Sequence, residues 1–290
     1  MFPKPVENSG RGVFLGYNVA VPIALFIWLL PLLAIFMTSI RPESDIASGN
    51  VFGWPSDFLL IENYWQVIQE TKMGQYFWNS IIITVPTVIL SISLACLAGY
   101  ALAIYKVPLP FLGNWNVAVP LFLLFVAGNF VPFQILMVPV RDLSNSLGIY
   151  NTVWGLVLFH SAFQTGFCTL FMRNFIKALP YELIESARIE GVGEFRIFWH
   201  VVLPLVRPAL AALAVLIFTF IWNEYFWATV LTTDDTVKPI TAGIESIKGQ
   251  YLTTWSLYSA AALMAAVPPV LMFFAMQKHF IAGLTLGAVK

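Results

Sequence analysis

Six long stretches almost free of charge constrain this chain more than anything else in it. They span residues 13–40, 76–105, 115–140, 149–172, 208–231 and 256–277, and only Glu224 interrupts them. Each exceeds the ~20 apolar residues that cross a hydrocarbon core of about 30 Å. In lipid the backbone must satisfy its own hydrogen bonds, so these runs are expected to be helices. The expected fold is therefore an all-α membrane protein with six transmembrane helices. Hydrophobic residues make up 59% of the chain and charged ones 10%, against about 45–50% and 25% in soluble domains.

Trp78, Trp115, Trp154 and Trp255 sit near the starts of four runs, where interfacial aromatics belong. With the N-terminus inside, the inner segments hold Lys4, Arg11, Lys106, Arg173, Lys177, Arg188, Arg196, Arg207, Lys278 and Lys290, against Arg41, Lys72, Arg141, Lys238 and Lys248 outside. This bias predicts a multi-pass protein with both termini cytoplasmic. The first run is too long for a signal-peptide core and lacks a small-residue cleavage pattern, so it is expected to be retained. Cys96 and Cys168 both lie within runs, which excludes a disulfide framework and zinc spacing. A net charge of zero offers no attraction for nucleic acid.

The chain divides into an N-terminal region, residues 1–75, with a tail, the first span and an outer loop, and a five-helix core, residues 76–290. The core carries an inner loop at 173–207 and a C-terminal tail at 278–290. "NYWQVIQE" in the first outer loop reads as a short helix capped by Asn63. The second outer loop, 232–254, is polar and punctuated by Pro239, Gly243 and Gly249. A short inner connection, "KVPLPFLGN", follows the second run. Pro22, Pro31, Pro86, Pro132, Pro139, Pro268 and Pro269 fall inside spans, where they kink helices or bend them around a path. Ala95, Gly99 and Ala103 form a small-residue face suited to close helix packing.

The inner loop 173–207 concentrates nine of the chain's thirty charged residues. It reads as helix, hinge, helix. Pro180 suits a first turn. Leu183, Ile184 and Ala187 share a face near Ile189, and Gly191 falls where a left-handed residue ends a helix, with Gly193 keeping the turn permissive. Phe195, Phe198, Trp199 and Val202 repeat with helical period, predicting one amphipathic stripe. Pro204 and Pro208 mark the entry into the fifth span.

This loop resembles the EAA loop of binding-protein-dependent ABC importers, E-A-A-x-x-D-G-A, eight residues, then I-x-L-P. Here it reads Glu185, Ser186, Ala187, Arg188, Ile189, Glu190, Gly191, Val192, then Val201, Val202, Leu203 and Pro204. Ser186, Glu190, Val192 and Val201 depart from the pattern. "FWNSIIIT", "LAGYALA", "WNEYFWATVLT" and the tail "MQKHFIAGLTLGAVK" are similar to the maltose-type permease branch. The resemblance implies a type I ABC importer transmembrane domain in the bacterial inner membrane. It further implies a homologous second permease, two ATPase subunits and an external solute-binding protein as partners. The solute implied is a sugar or related polyol or glycoside. The chain would not be an enzyme and would bind no cofactor, ATP and Mg being held by the ATPase subunits. Glu185, Ser186, Ala187, Glu190, Gly191, Leu203 and Pro204 would form the ATPase-coupling set, with Glu185 facing a basic residue. By the same resemblance loop 232–254 would meet the binding protein, and the tail would reach the ATPase pair.

No Gly-Lys dipeptide occurs in the chain, so no Walker A loop exists to hold phosphates. Polar groups within spans are few: Asn129, Gln134, His160, Gln164, Asn223 and Glu224. Glu224 lies seven residues before Leu231, roughly 10 Å from the outer end; structural pairing and lining of a path are both open to it. His160 reads as a hydrogen-bonded packing residue before a proton relay. Asn129, Gln134, Asn223, Glu224, Tyr225 and Trp227 are the candidate substrate path. A secondary transporter coupled through Glu224 and His160 would need intramembrane charge networks or inverted repeats, which the sequence lacks. No set of residues has the spacing of a nucleophilic or metal centre.

Overall fold

The computed structural model describes residues 10–49, 53–105, 118–250 and 254–288, with side chains of 248–250 and 279–288 excepted. "KVPLPFLGN", Trp115, the side chain of Lys248 and the contacts of the C-terminal tail lie outside what is described. Two units emerge: residues 1–71 with 246–264, and 72–245 with 265–290.

In the first unit, α1 (Arg11–Ser39) is apolar on all sides and exposed nearly throughout, with Trp28 77% accessible. Such a helix suits lipid on every face. After α2 (Glu43–Ala47) comes α3 (Leu60–Glu70), which starts earlier than expected. Asn63 therefore lies inside α3 and does not cap it. Its amide donates to the Ser39 and Arg41 carbonyls at 2.9 and 3.0 Å. The side chain thus satisfies carbonyls left open where α1 ends. Glu43 accepts hydrogen bonds from the Ser256 N–H and hydroxyl.

The second unit is organised around α4 (Met73–Ile104), whose principal neighbour is the helix Val153–Lys177. α5 (Ala118–Gly128) and α6 (Met137–Ser146) lead to α7 (Val153–Lys177). The small-residue face does the packing expected of it. A Cβ on Gly99 would lie 3.0 Å from the Arg173 backbone nitrogen and 3.1 Å from the Met172 Cβ. Ala95 and Met172 are fully buried there.

Two of the six expected spans are broken. The third bends by 88° between α5 and the segment Phe133–Ser146. Pro132 explains the site: it donates no N–H and pushes Val131 out of the helical region. The Asn129 amide turns back to the Phe125 carbonyl at 2.7 Å. The chain then passes through α8 (Tyr181–Ile189), α9 (Glu194–Ile197), a π turn at Phe198–Val202 and α10 (Leu203–Leu205) to α11 (Arg207–Trp222). The bend between Glu194–Leu205 and α11 is 74°. Pro204 and Pro208 remove two helical donors around it. The fifth run breaks again at Asn223–Tyr225 before α12 (Phe226–Leu231). α13 (Ile240–Gln250) and α14 (Trp255–Ala288) complete the chain. Four unbroken helices are long and apolar enough to span a membrane, and the number among the described residues reaches six if each bent pair is one span. Of the span prolines, Pro132 marks a break, while Pro22, Pro31, Pro86, Pro268 and Pro269 stay inside continuous helices.

The polar segment 232–241, part of the expected outer loop 232–254, is held by hydrogen bonds and ion pairs. Asn151, in the left-handed region at φ 56°, accepts from the Thr233 and Asp234 amides. Asp235 pairs with Lys72 and Lys238 at 3.1 and 2.8 Å. The Asn79 amide donates to the Thr236 and Lys238 carbonyls, and the Ser80 hydroxyl accepts the Ile240 N–H.

Candidate functional site

Two places in the second unit concentrate chemistry: the elbow at α8–α9 and a cavity at the break in the fifth span.

The elbow forms as its sequence predicts. Gly191 has φ 76°, the left-handed conformation that favours glycine. Its N–H donates to the Arg188 carbonyl, and the Val192 N–H donates to the Ala187 carbonyl, both at 3.0 Å. These two bonds are a Schellman closure, completed by apolar Val192 and Ala187 at the flanking positions. Gly193 is different. At φ −67°, ψ 149° it starts α9 in a conformation open to any residue, so the turn does not depend on it.

The faces differ from those expected of α8 and α9. Ile184, Ile197, Phe198 and Val202 are buried and join the same apolar cluster as Ala95, Cys96 and Tyr100 of α4 and Cys168, Met172 and Ile176 of α7. Leu183, Ile189, Phe195 and Trp199 point outward instead, Ile189 82% exposed. The expected single stripe is thus two faces, because the π turn at Phe198–Val202 shifts the register that a 3.6-residue period assumes. One face enters the bundle and the other is presented outward. Glu185, Ser186, Glu190 and Gly191 are exposed on the elbow, Ala187 is half-buried, and Leu203 and Pro204 lie half-buried at the bend below it.

A polar group holds the elbow's angle. The Arg188 Nε donates to Glu194 Oε1 at 2.6 Å, and the Tyr100 hydroxyl donates to Glu194 Oε2 at 2.7 Å. Arg188 also donates to the Tyr181 hydroxyl at 3.0 Å. The Arg188 hydrogen bond, reinforced by those of Tyr100 and Tyr105, holds the Glu194 carboxyl below its ordinary range. Sequence reading missed this cluster. Its one signal was an acid and a base on either side of a predicted hinge.

A cavity of about 500 Å³ is lined by Asn129, Phe133, His160, Phe163, Gln164, Phe167, Leu216, Phe220, Glu224 and Trp227. It lies beside the breaks in the third and fifth runs. Glu224 sits in the fifth run's break and accepts the Trp227 N–H through both carboxylate oxygens (2.9 and 3.0 Å) and the Ala228 N–H at 3.1 Å. It thereby caps α12. His160 Nε2 stands 3.8 Å from Glu224 Oε2. Glu224 is thus held by backbone amides and lines the cavity. The Trp227 indole N–H is buried without a hydrogen-bond partner among the described residues. Of the six candidate path residues, Asn129, Glu224 and Trp227 meet at this cavity. Gln134, Asn223 and Tyr225 do not: all three are exposed away from it, and Asn223 is occupied by the Thr219 carbonyl. His160 and Gln164, polar residues of the fourth span, line it instead. Phe133, Phe163, Phe167 and Phe220 gave no sequence signal, because phenylalanine is common throughout the spans. No group of three or more His, Cys, Asp or Glu able to hold a metal occurs among the described residues.

The family described as "Binding-protein-dependent transport system inner membrane component" matches residues 75–285. The chain is 34% identical over 281 residues to the osmoprotective compounds uptake permease protein GgtD of Synechocystis sp., covering 94% of this chain and 91% of that one. It is 33% identical over 267 residues to the arabinooligosaccharides transport system permease protein AraQ of Halalkalibacterium halodurans, covering 91% and 92%. Its fold matches a chain in the crystal structure of a bacterial ABC transporter that imports the acidic polysaccharide alginate. The TM-score is 0.77 at 23% identity, covering 96% of this chain and 100% of that one.

Proposed function

Because the chain belongs to the family of binding-protein-dependent transport system inner membrane components, we propose that it carries a sugar, or a related polyol or glycoside, across the bacterial inner membrane. It is a membrane permease subunit and works with ATPase subunits that are separate chains. In this reading it pairs with a homologous second permease, two ATPase subunits drive it, and an external binding protein delivers the solute. ATP and Mg stay on the ATPase subunits, and both termini lie in the cytoplasm.

One observation carries the coupling role. The elbow buries one apolar face in the bundle core while offering Ile189, Phe195 and Trp199 outward beside Glu185, Ser186 and Glu190. Apolar anchors within a polar rim are what a docking surface needs. A neighbour seated there moves the core directly, since Ile197, Phe198 and Val202 are part of it. Leu203 and Pro204 set the bend into α11.

The cavity supports the solute class. Aromatic faces of Phe133, Phe163 and Trp227 accept the apolar face of a sugar ring, while Glu224, Asn129, Gln164 and the Trp227 N–H offer hydroxyl partners. One relative is named for the transport of arabinooligosaccharides, which are sugars. The experiment is co-purification followed by uptake in vesicles. Uptake should require ATP and ignore proton uncouplers; uptake driven by a proton gradient alone would return the chain to secondary transport.

A further inference from the structure

The geometry points to Glu194 as the positioning residue that links the elbow to α4 and, through α4, to the cavity's carboxylate. The inference rests on the elbow's reading as the ATPase dock.

Glu194 is the first residue of α9, immediately beyond the turn. Its bond to Arg188 crosses the turn and fixes the angle between α8 and α9. Its bond to Tyr100 leaves the elbow and reaches the inner end of α4. The Tyr100 ring also packs on Phe198 at 5.3 Å, so polar and apolar links converge on one side chain. A carboxylate accepting from a guanidinium and a phenol is directional, unlike apolar packing, which tolerates sliding.

α4 is one continuous helix of 32 residues, about 48 Å long at ~1.5 Å per residue. At its outer end Asn79 and Ser80 hold the backbone of 236–240. One residue further, the Thr241 hydroxyl donates to the Glu224 carbonyl at 2.6 Å. An unbroken series of directional contacts therefore runs from Arg188 and Glu194 through Tyr100 and α4 to Asn79, Ser80, Thr241 and Glu224. A tilt of the elbow moves the rod, and the rod moves the backbone that positions the cavity's acid.

The test uses the whole importer in lipid vesicles, with an environment-sensitive fluorophore on Thr233→Cys, an exposed position in the outer segment. Cys96 and Cys168 are buried and do not compete for label. ATP with vanadate is the stimulus. In the unsubstituted complex the label responds. In Glu194→Gln and Tyr100→Phe the ATPase still co-purifies and basal ATP hydrolysis persists, while the response falls at least tenfold. The exchange Arg188→Glu with Glu194→Arg recovers at least half of it. A full response in either single variant, loss of the ATPase from Glu194→Gln, or an exchange that recovers nothing overturns the link. An unsubstituted complex that ignores ATP and vanadate sinks the docking reading instead.

Discussion

Substituting Gly191 separates conformational cost from contact cost at the elbow. At φ 76° an L side chain is strained, yet a Cβ there meets nothing within 4 Å. The whole penalty of Gly191→Ala is therefore conformational, about 1–2 kcal/mol. That is roughly a 5–30-fold change in the equilibrium between the closed and opened turn. Gly193→Ala is the internal control, because its φ is −67° and the space around it is equally open. Hydrogen exchange of the Gly191 and Val192 amides reads the turn directly, since both close the Schellman bonds. Exchange should accelerate roughly 5–30-fold in Gly191→Ala and stay unchanged in Gly193→Ala. Gly191→Asn should fall between them, as asparagine tolerates the left-handed region better than alanine. Equal effects at the two glycines, or none at Gly191, would refute the assignment of the hinge to a single left-handed residue.

Gly191→Pro adds a fixed φ near −65° and loses the bond to Arg188; membrane insertion should survive while stimulated ATP turnover and uptake disappear. Glu224→Ala removes the acceptor of the Trp227 and Ala228 amides, costing about 1.5–3 kcal/mol per charged bond lost, visible as a lower melting temperature alongside lost uptake. Gly243→Ala would drive a methyl into the buried Tyr76 ring, so the yield of folded protein should drop sharply while Gly74→Ala, in open space, leaves it unchanged. Asp235 is held below its ordinary pKa of 3.8, first by the Lys238 hydrogen bond and then by that of Lys72. A depressed acid stabilises the fold above its unfolded pKa and releases that stability as pH falls through the folded value. Hydrogen exchange in 232–238 should therefore stay slow down to pH 3.8 and rise only below it; a rise already at about pH 5 would contradict the pairing.

Length and apolarity made the spans legible, because lipid leaves the backbone few choices. The breaks at 129–132 and 223–225 were not, since a broken and an unbroken span bury similar numbers of apolar residues. Pro132 hinted at the first break. The second depends on Glu224 capping α12, which no local periodicity reveals. Gly191 was readable because one backbone conformation demands it, whereas the two faces of the stripe from Phe195 to Val202 turned on a π turn. Asn63 was assigned to the wrong helix end: its amide serves a carbonyl 24 residues away, beyond any local rule. The Arg188–Glu194–Tyr100 group joins residues 94 positions apart, and only the fold brings them together.

The most direct measurement pairs Ile189→Cys, on the exposed tip of α8, with a cysteine on the ATPase subunit. Nucleotide-dependent cross-linking in inside-out vesicles, with no labelling by an impermeant maleimide from the outer side, is the expected result. Labelling of Ile189→Cys from outside, or no cross-link to any ATPase position, would contradict the elbow's place and its partner together.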